Sequence, residues 1–135
     1  MAQTTDTSTE ADLVPQEMGE ANLGDFLWEK RPIVVFADTP RDPAFIRQLE
    51  LLADRPEALS ARDVVILTDT DPNALSELRE KLRPRGFMLV LIGKDGGVKL
   101  RKPFPWDVRE LSRAIDKMPL RQQEIRDRRS DGLEG

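Results

Sequence analysis

The stretch Phe87-Met88-Leu89-Val90-Leu91-Ile92-Gly93-Lys94-Asp95-Gly96-Gly97-Val98-Lys99-Leu100-Arg101-Lys102 reads as a strand, a tight turn and a returning strand. Residues 87–92 are apolar at every position, as a strand covered on both faces must be. Asp95-Gly96 suits the positive φ values of a hairpin turn. Val98 and Leu100 then alternate with Lys99 and Arg101, the period of a strand with one solvated face. A phosphate-cradling loop would also be glycine-rich, but it must lead from a strand into a helix N-terminus. Here the glycines lead into another strand, so the hairpin reading stands, and it locates the sheet and one of its edges.

Two more apolar runs are too short for helices and supply further central strands: Pro32-Ile33-Val34-Val35-Phe36-Ala37 and Asp63-Val64-Val65-Ile66-Leu67-Thr68. Pro32 fits at the first of them, where a missing donor does no harm. Asp42 as N-cap with Pro43 behind it starts a helix whose Phe45, Leu49 and Leu52 share one face, and Arg55-Pro56 breaks it. Asp71-Pro72 repeats the device, with Leu75, Leu78 and Leu82 as the inward stripe and Pro84 and Gly86 as the stop. After Pro103-Phe104-Pro105, the spacing of Val108, Leu111, Ile115 and Met118 predicts a last helix that Pro119 ends or kinks. Ahead of the first strand, Asn22-Leu23-Gly24-Asp25-Phe26-Leu27-Trp28 predicts a short helix or turn that lays Leu23, Phe26 and Leu27 on the core, with Trp28 as packing.

Residues 1–20 hold few apolar side chains and read as a disordered lead-in. Residues 21–120 form the domain, and residues 121–135 form a charged tail with at most a frayed helix over 121–128. The order is β-α-β-α-β-β-α. A strand-helix-strand unit needs a right-handed crossover and a parallel pair, whereas the last two strands make an antiparallel hairpin. The expected architecture is α/β: a mixed four-stranded sheet with helices on both faces, a three-layer sandwich of thioredoxin type.

Composition narrows the chemistry. The 21 basic and 25 acidic residues are interspersed, net −4, which gives no basic face for nucleic acid. No window approaches the roughly 20 apolar residues of a membrane span. With no Cys there is no disulfide, thiolate nucleophile or CxxC pair, and with no His the commonest general base and metal ligand is missing. Tyr is absent too, and no nucleophile sits beside an obvious activating base. Nothing implies a cofactor.

Several segments together carry a resemblance. They are Phe26-Leu27-Trp28-Glu29-Lys30-Arg31-Pro32-Ile33-Val34-Val35-Phe36, Arg62-Asp63-Val64-Val65, Leu91-Ile92-Gly93-Lys94-Asp95-Gly96-Gly97-Val98-Lys99, and Ile115-Asp116-Lys117-Met118-Pro119-Leu120-Arg121. The chain resembles the uncharacterised thioredoxin-like domain of unknown function found in short exported bacterial proteins and in vertebrate extracellular-matrix proteins, including the sushi-repeat-containing group. The resemblance implies the thioredoxin fold and favours an exported location, periplasmic or secreted. The opening Met-Ala-Gln-Thr-Thr suits a mature exported terminus, its signal peptide removed and an initiator Met added, and suits equally a cytosolic protein with a ragged start. The resemblance implies no activity. Relative to thioredoxins, Asp38-Thr39-Pro40-Arg41-Asp42 stands where two cysteines would sit, and Met88 stands where the cis-proline would. Thr39-Pro40 also looks like the start of a peroxiredoxin active loop, with Asp42 near the place of the peroxidatic cysteine.

Two groups of residues are candidates for binding. In open α/β sheets ligands bind beyond the carboxyl ends of parallel strands. Those ends carry Asp38-Thr39 and Asp69-Thr70 here. If the strands are neighbours, Asp38, Asp42 and Asp69 could share one edge with Arg41, and hold Mg²⁺ or Ca²⁺ or supply an acid. The plainer alternative makes Asp42 and Asp71 N-caps and Asp38 and Asp69 turn residues. The second group is Arg101, Phe104 and Trp106, a cation beside two aromatics next to an edge strand, which suits a protein contact. The alternative there is that Phe104 and Trp106 pack the last helix onto the sheet. The sequence therefore supports a non-enzymatic binding or scaffold module with a protein partner, set against a carboxylate-based enzyme or divalent-metal site.

Overall fold

A computed structural model describes residues 13–18, 23–74 and 76–134. The order is β1 (Gln16–Glu17), a 3-10 turn (Leu23–Phe26), β2 (Arg31–Phe36), α1 (Pro43–Ala53), α2 (Pro56–Ser60), β3 (Val64–Asp69), α3 (Glu77–Leu82), β4 (Met88–Ile92), β5 (Val98–Lys102), α4 (Val108–Asp116) and α5 (Pro119–Glu134). The strands form one sheet in the order β1-β3-β2-β4-β5. β1, β3 and β2 run parallel, whereas β4 is antiparallel to β2 and β5 to β4. The mixed α/β sandwich is thus as expected, but with five strands among the described residues rather than four. The added strand lies inside the expected lead-in: Gln16 and Glu17 bond along β3, and Met18 is buried.

Both faces of the sheet are covered, which is why β2, β3 and β4 are apolar without alternation. Ile33, Val35, Ile66, Leu89 and Leu91 face α1, α2 and α4, where Phe45, Leu52, Leu59, Val108, Leu111 and Ile115 meet them. Val34, Phe36, Leu67, Val90 and Ile92 face the other way, toward Met18 and Leu78 of α3. Phe26 and Leu23 lean on this second face, but Leu27 is exposed and Trp28 is 66% exposed. Trp28 sits at φ 66 with its N–H donating to the Lys94 carbonyl at 2.7 Å, and this left-handed turn carries the ring outward instead of into the core.

The hairpin is not closed by a two-residue turn. Gly96 N–H donates to Gly93 O and Gly93 N–H to Gly97 O, both at 2.9 Å, so the loop is Lys94-Asp95-Gly96. Only Gly96 takes a positive φ, 86°, which is the three-residue hairpin with one left-handed residue at its end. Asp95 instead folds its carboxylate back onto Gly97 N–H at 2.9 Å.

Three helix boundaries also depart from the sequence reading. Arg55-Pro56 does end α1, but Pro56 at a first helical position starts α2. α3 begins six residues past Asp71, because Ser76 caps it by accepting from Arg79 N–H at 3.1 Å, while Asp71 closes a local turn on Asn73 N–H. Leu75, expected in the inward stripe, lies outside the described residues. Finally, the expected tail is helix α5, and its Arg121 is buried.

Gln48 of α1 is fully buried and welds α1 to the segment before α4. Its Nε2 donates to Trp106 O at 2.7 Å and its Oε1 accepts from Trp106 N–H at 3.0 Å. Gln48→Met keeps the volume and strands both Trp106 backbone groups, so a loss of about 2 kcal/mol is expected. Urea unfolding should show a lower midpoint at unchanged m-value.

Candidate functional site

Strand register sorts the polar residues into two poles. At the first pole lie the carboxyl ends of β2 and β3, where Phe36 pairs with Asp69 and Ala37 N–H donates to Asp69 O at 3.0 Å. The sequence candidates Asp38 and Asp69 are therefore on neighbouring strands, yet they do not act together. Asp69 is 7% exposed, and both its oxygens are engaged. Oδ1 accepts from Arg79 Nη2 at 2.9 Å and Nε at 3.1 Å, and Oδ2 accepts from Ser76 Oγ at 2.7 Å. Arg79 also donates to Ala37 O at 3.1 Å and Asp69 O at 2.9 Å, with its guanidinium 5.3 Å from the Phe36 ring centre. This buried arginine bridges the carboxyl ends of the two strands.

Asp42 is likewise occupied, since its Oδ1 accepts from Ala44 N–H at 2.8 Å and caps α1. Thr39 Oγ1 accepts from Arg41 N–H at 3.3 Å, and the side chains of Asp38 and Arg41 stand in solvent. Among the described residues no three acidic side chains are arranged to hold a metal ion. The carboxylate site that Asp38, Asp42 and Asp69 could have formed is not assembled, because two of the three are spent on a buried ion pair and a helix cap.

The second group of candidates reaches the same pole. β4 begins there, with Met88 opposite Phe36, and β5 ends there, with Lys102 opposite Leu89. Arg101 lies along the surface, its Nη2 donating to Leu82 O at 2.9 Å. Phe104 is 53% exposed. Trp106 instead packs on the core, tied by Gln48 and covered by Lys102 Nζ at 4.9 Å from its ring centre. Of the two aromatics, one packs and one is presented.

The opposite pole holds an ion cluster that the sequence reading did not assemble. Arg31 opens β2 and is fully buried; Arg62-Asp63 precedes β3; Lys94 follows β4 and is 8% exposed. Glu124 of α5 reaches in between them. Its carboxylate accepts from Arg31 Nη2 at 3.1 Å and Nη1 at 3.3 Å, and from Lys94 Nζ at 2.8 Å. Lys94 Nζ also reaches Asp63 at 2.7 Å, which Asp63 permits by taking φ 58. Asp116 accepts a two-pronged pair from Arg62 at 3.0 and 2.8 Å and a third bond from Arg121 at 3.2 Å. The four sequence segments that carry the family resemblance meet here, with α5 as the clasp. A charged residue bounding an otherwise apolar strand was the available signal, since such a position is forced toward burial.

Electrostatics follow from this geometry. Burial opposes ionisation of Glu124, but hydrogen bonds from Lys94 and Arg31 outweigh it and hold the carboxyl below its ordinary 4.5. Hydrogen bonding from Arg62, against desolvation, holds Asp116 below its ordinary 3.8. Folded-state values below unfolded ones mean that the unfolded chain binds more protons between them, so stability is complete above the ordinary value and falls as pH drops through the folded one. Urea unfolding from neutral pH to about pH 3 should show stability flat above pH 5 and falling below it. Glu124→Gln should flatten that acid limb.

Thioredoxin-fold proteins have the same architecture. Thioredoxin peroxidase I of Plasmodium yoelii superposes with a TM-score of 0.57 at 17% identity, covering 76% of this chain and 80% of that chain. Chloroplastic thioredoxin z gives 0.57 at 19% identity, covering 76% and 91%. Reduced desulfothioredoxin of Desulfovibrio vulgaris Hildenborough gives 0.54 at 23% identity, covering 79% and 99%. These likenesses establish the fold alone. Coiled-coil domain-containing protein 80 of Danio rerio is 30% identical over 141 aligned residues, which cover 82% of this chain and 16% of that protein. The chain thus spans only a small part of that relative's length. Residues 22–124 match the family described as Domain of unknown function (DUF4174), and the match includes every member of the ion cluster. On that match, which takes in most of the chain, this protein belongs to the DUF4174 family.

Proposed function

We propose that the chain is a non-catalytic binding module on a thioredoxin scaffold, exported, that holds a protein partner at the first pole of its sheet. The observation that carries this reading is the occupancy of that pole. A chain without cysteine has no thiol to place there, and Asp69 is sequestered by Arg79 and Ser76. What the pole offers to solvent is Asp38, Arg41, Arg101 and the half-exposed Phe104, which is the mixture of cation and aromatic that interfaces favour. Thr39 shapes the loop, Asp42 and Trp106 fix its flanks, and none of these needs to leave its present bonds for a partner to dock. The exported location is supported by the family resemblance.

The test is affinity capture from the envelope fraction of the native source, using the intact chain beside a variant carrying Asp38→Ala, Arg41→Ala and Phe104→Ala. All three side chains are exposed, so the variant should melt like the parent. A partner retained by the intact chain and lost by the variant is expected. Capture by both, or by neither, would overturn the assignment to this pole.

A further inference from the structure

A groove of about 630 Å³ runs between the end of α1 and α2 on one side and α4 on the other, and it borders the ion cluster at Arg62 and Asp116. Asp54, Arg55 and Ala58 form one wall. Arg109, Ser112, Arg113 and Asp116 form the other, at the i, i+3, i+4 and i+7 spacing that puts them on a single face of α4. Arg62 lies between. In a chain of net charge −4, four guanidinium groups thus face one groove against the carboxylates of Asp54, Asp107 and Asp116.

Those carboxylates are not equally available. Asp116 is held by Arg62 and Arg121, and Asp107 caps α4 by accepting from Glu110 N–H at 2.8 Å. Among the described residues, the side chains of Arg55, Arg109 and Arg113 enter no hydrogen bond or ion pair, which leaves three unpaired cations against the carboxylates of Asp54 and Asp107. Arg109 and Arg113 stand one turn apart, where like charges repel. Arginines so arranged offer planar forks to a tetrahedral oxyanion.

We propose that this groove is a binding site for a small phosphate or sulfate ester, held between Arg109 and Arg113 on α4 and Arg55 across from them. The ester oxygens accept from the guanidinium N–H groups, and the bound anion relieves the repulsion along α4. The site is independent of the protein-binding pole, since it shares no residue with it.

The probes are inorganic phosphate, inorganic sulfate and, at matched ionic strength, chloride, titrated into the full chain while the arginine Nε–H signals are followed by NMR. Saturable shifts confined to Arg55, Arg109 and Arg113 are expected with phosphate or sulfate and not with chloride. Whichever of the two binds tighter names the ester. Arg109→Gln with Arg113→Gln should weaken binding at least tenfold, the loss expected for two charge-assisted contacts. The same variant should melt, without anion, no lower than the parent, because it removes a like-charge pair. Arg47→Gln, on the exposed face of α1, should leave binding unchanged. Unsaturating shifts spread over all arginines, equal response to chloride, or full binding by the α4 variant would each overturn the site.

Discussion

Glu124→Ala is expected to lower the stability of this protein by about 3 kcal/mol, with a melting midpoint lower by roughly 10 °C. Among the described residues, the carboxylate is the only acidic partner of the fully buried Arg31 and one of two for Lys94. Its removal leaves Arg31, among the described residues, with the Arg62 carbonyl alone at Nη1, and the Nε of that guanidinium already has no partner among them. An uncompensated buried charge costs more than a buried pair contributes, which is why one truncation has so large an effect. The value sits at the low end of the usual range because the Glu124 side chain keeps 21% of its exposure. Lys94→Met alone should also destabilise. A double-mutant cycle should give less than the sum of the two, since each variant removes the other's partner. Additive effects would mean that the clasp between α5 and the hairpin contributes nothing.

Arg79→Met should cost more, about 4 kcal/mol, because the pair it breaks is buried on both sides at 6% and 5% exposure. The substitution also strands Ala37 O and removes one of the two donors to Asp69 O, which keeps Ala37 N–H. Adding Asp69→Asn to Arg79→Met should recover part of the loss, because an amide tolerates burial where an unpaired carboxylate does not. Denaturant unfolding of the two single variants and the double one reads this directly, and a double variant no better than Arg79→Met would show that the lost carbonyl contacts dominate. If the partner docks at the exposed loop, Arg79→Met should weaken capture only in proportion to unfolding.

The apolar runs 32–37, 63–68 and 87–92 needed no context to be read as central strands, because continuous apolarity at that length suits a strand covered on both faces. Asp42-Pro43 was sufficient for the start of α1, where the cap is local. Asp71-Pro72 carried the same local signal and misled, since Ser76 caps α3 while Asp71 turns on itself. Nothing nearby distinguishes the two aspartates. The difference lies in Asp69 and Arg79, which bond across the turn between them and set where the helix can begin.

The candidate site divides along the same line. That Asp38 and Asp69 end neighbouring parallel strands was legible, because crossover topology brings them there. That Asp69 is consumed by Arg79 was not, because which partner a charged side chain finds depends on distances across α3 that no local pattern encodes. By itself the sequence determined the fold class, the lack of thiol and imidazole chemistry, and the edge hairpin, all of which follow from residue type and short-range periodicity. Only the tertiary structure decided how the charges are spent. Charges in contact come from residues as far apart as Arg31 and Glu124, and burial, which makes such pairs matter, is a property of the assembled chain.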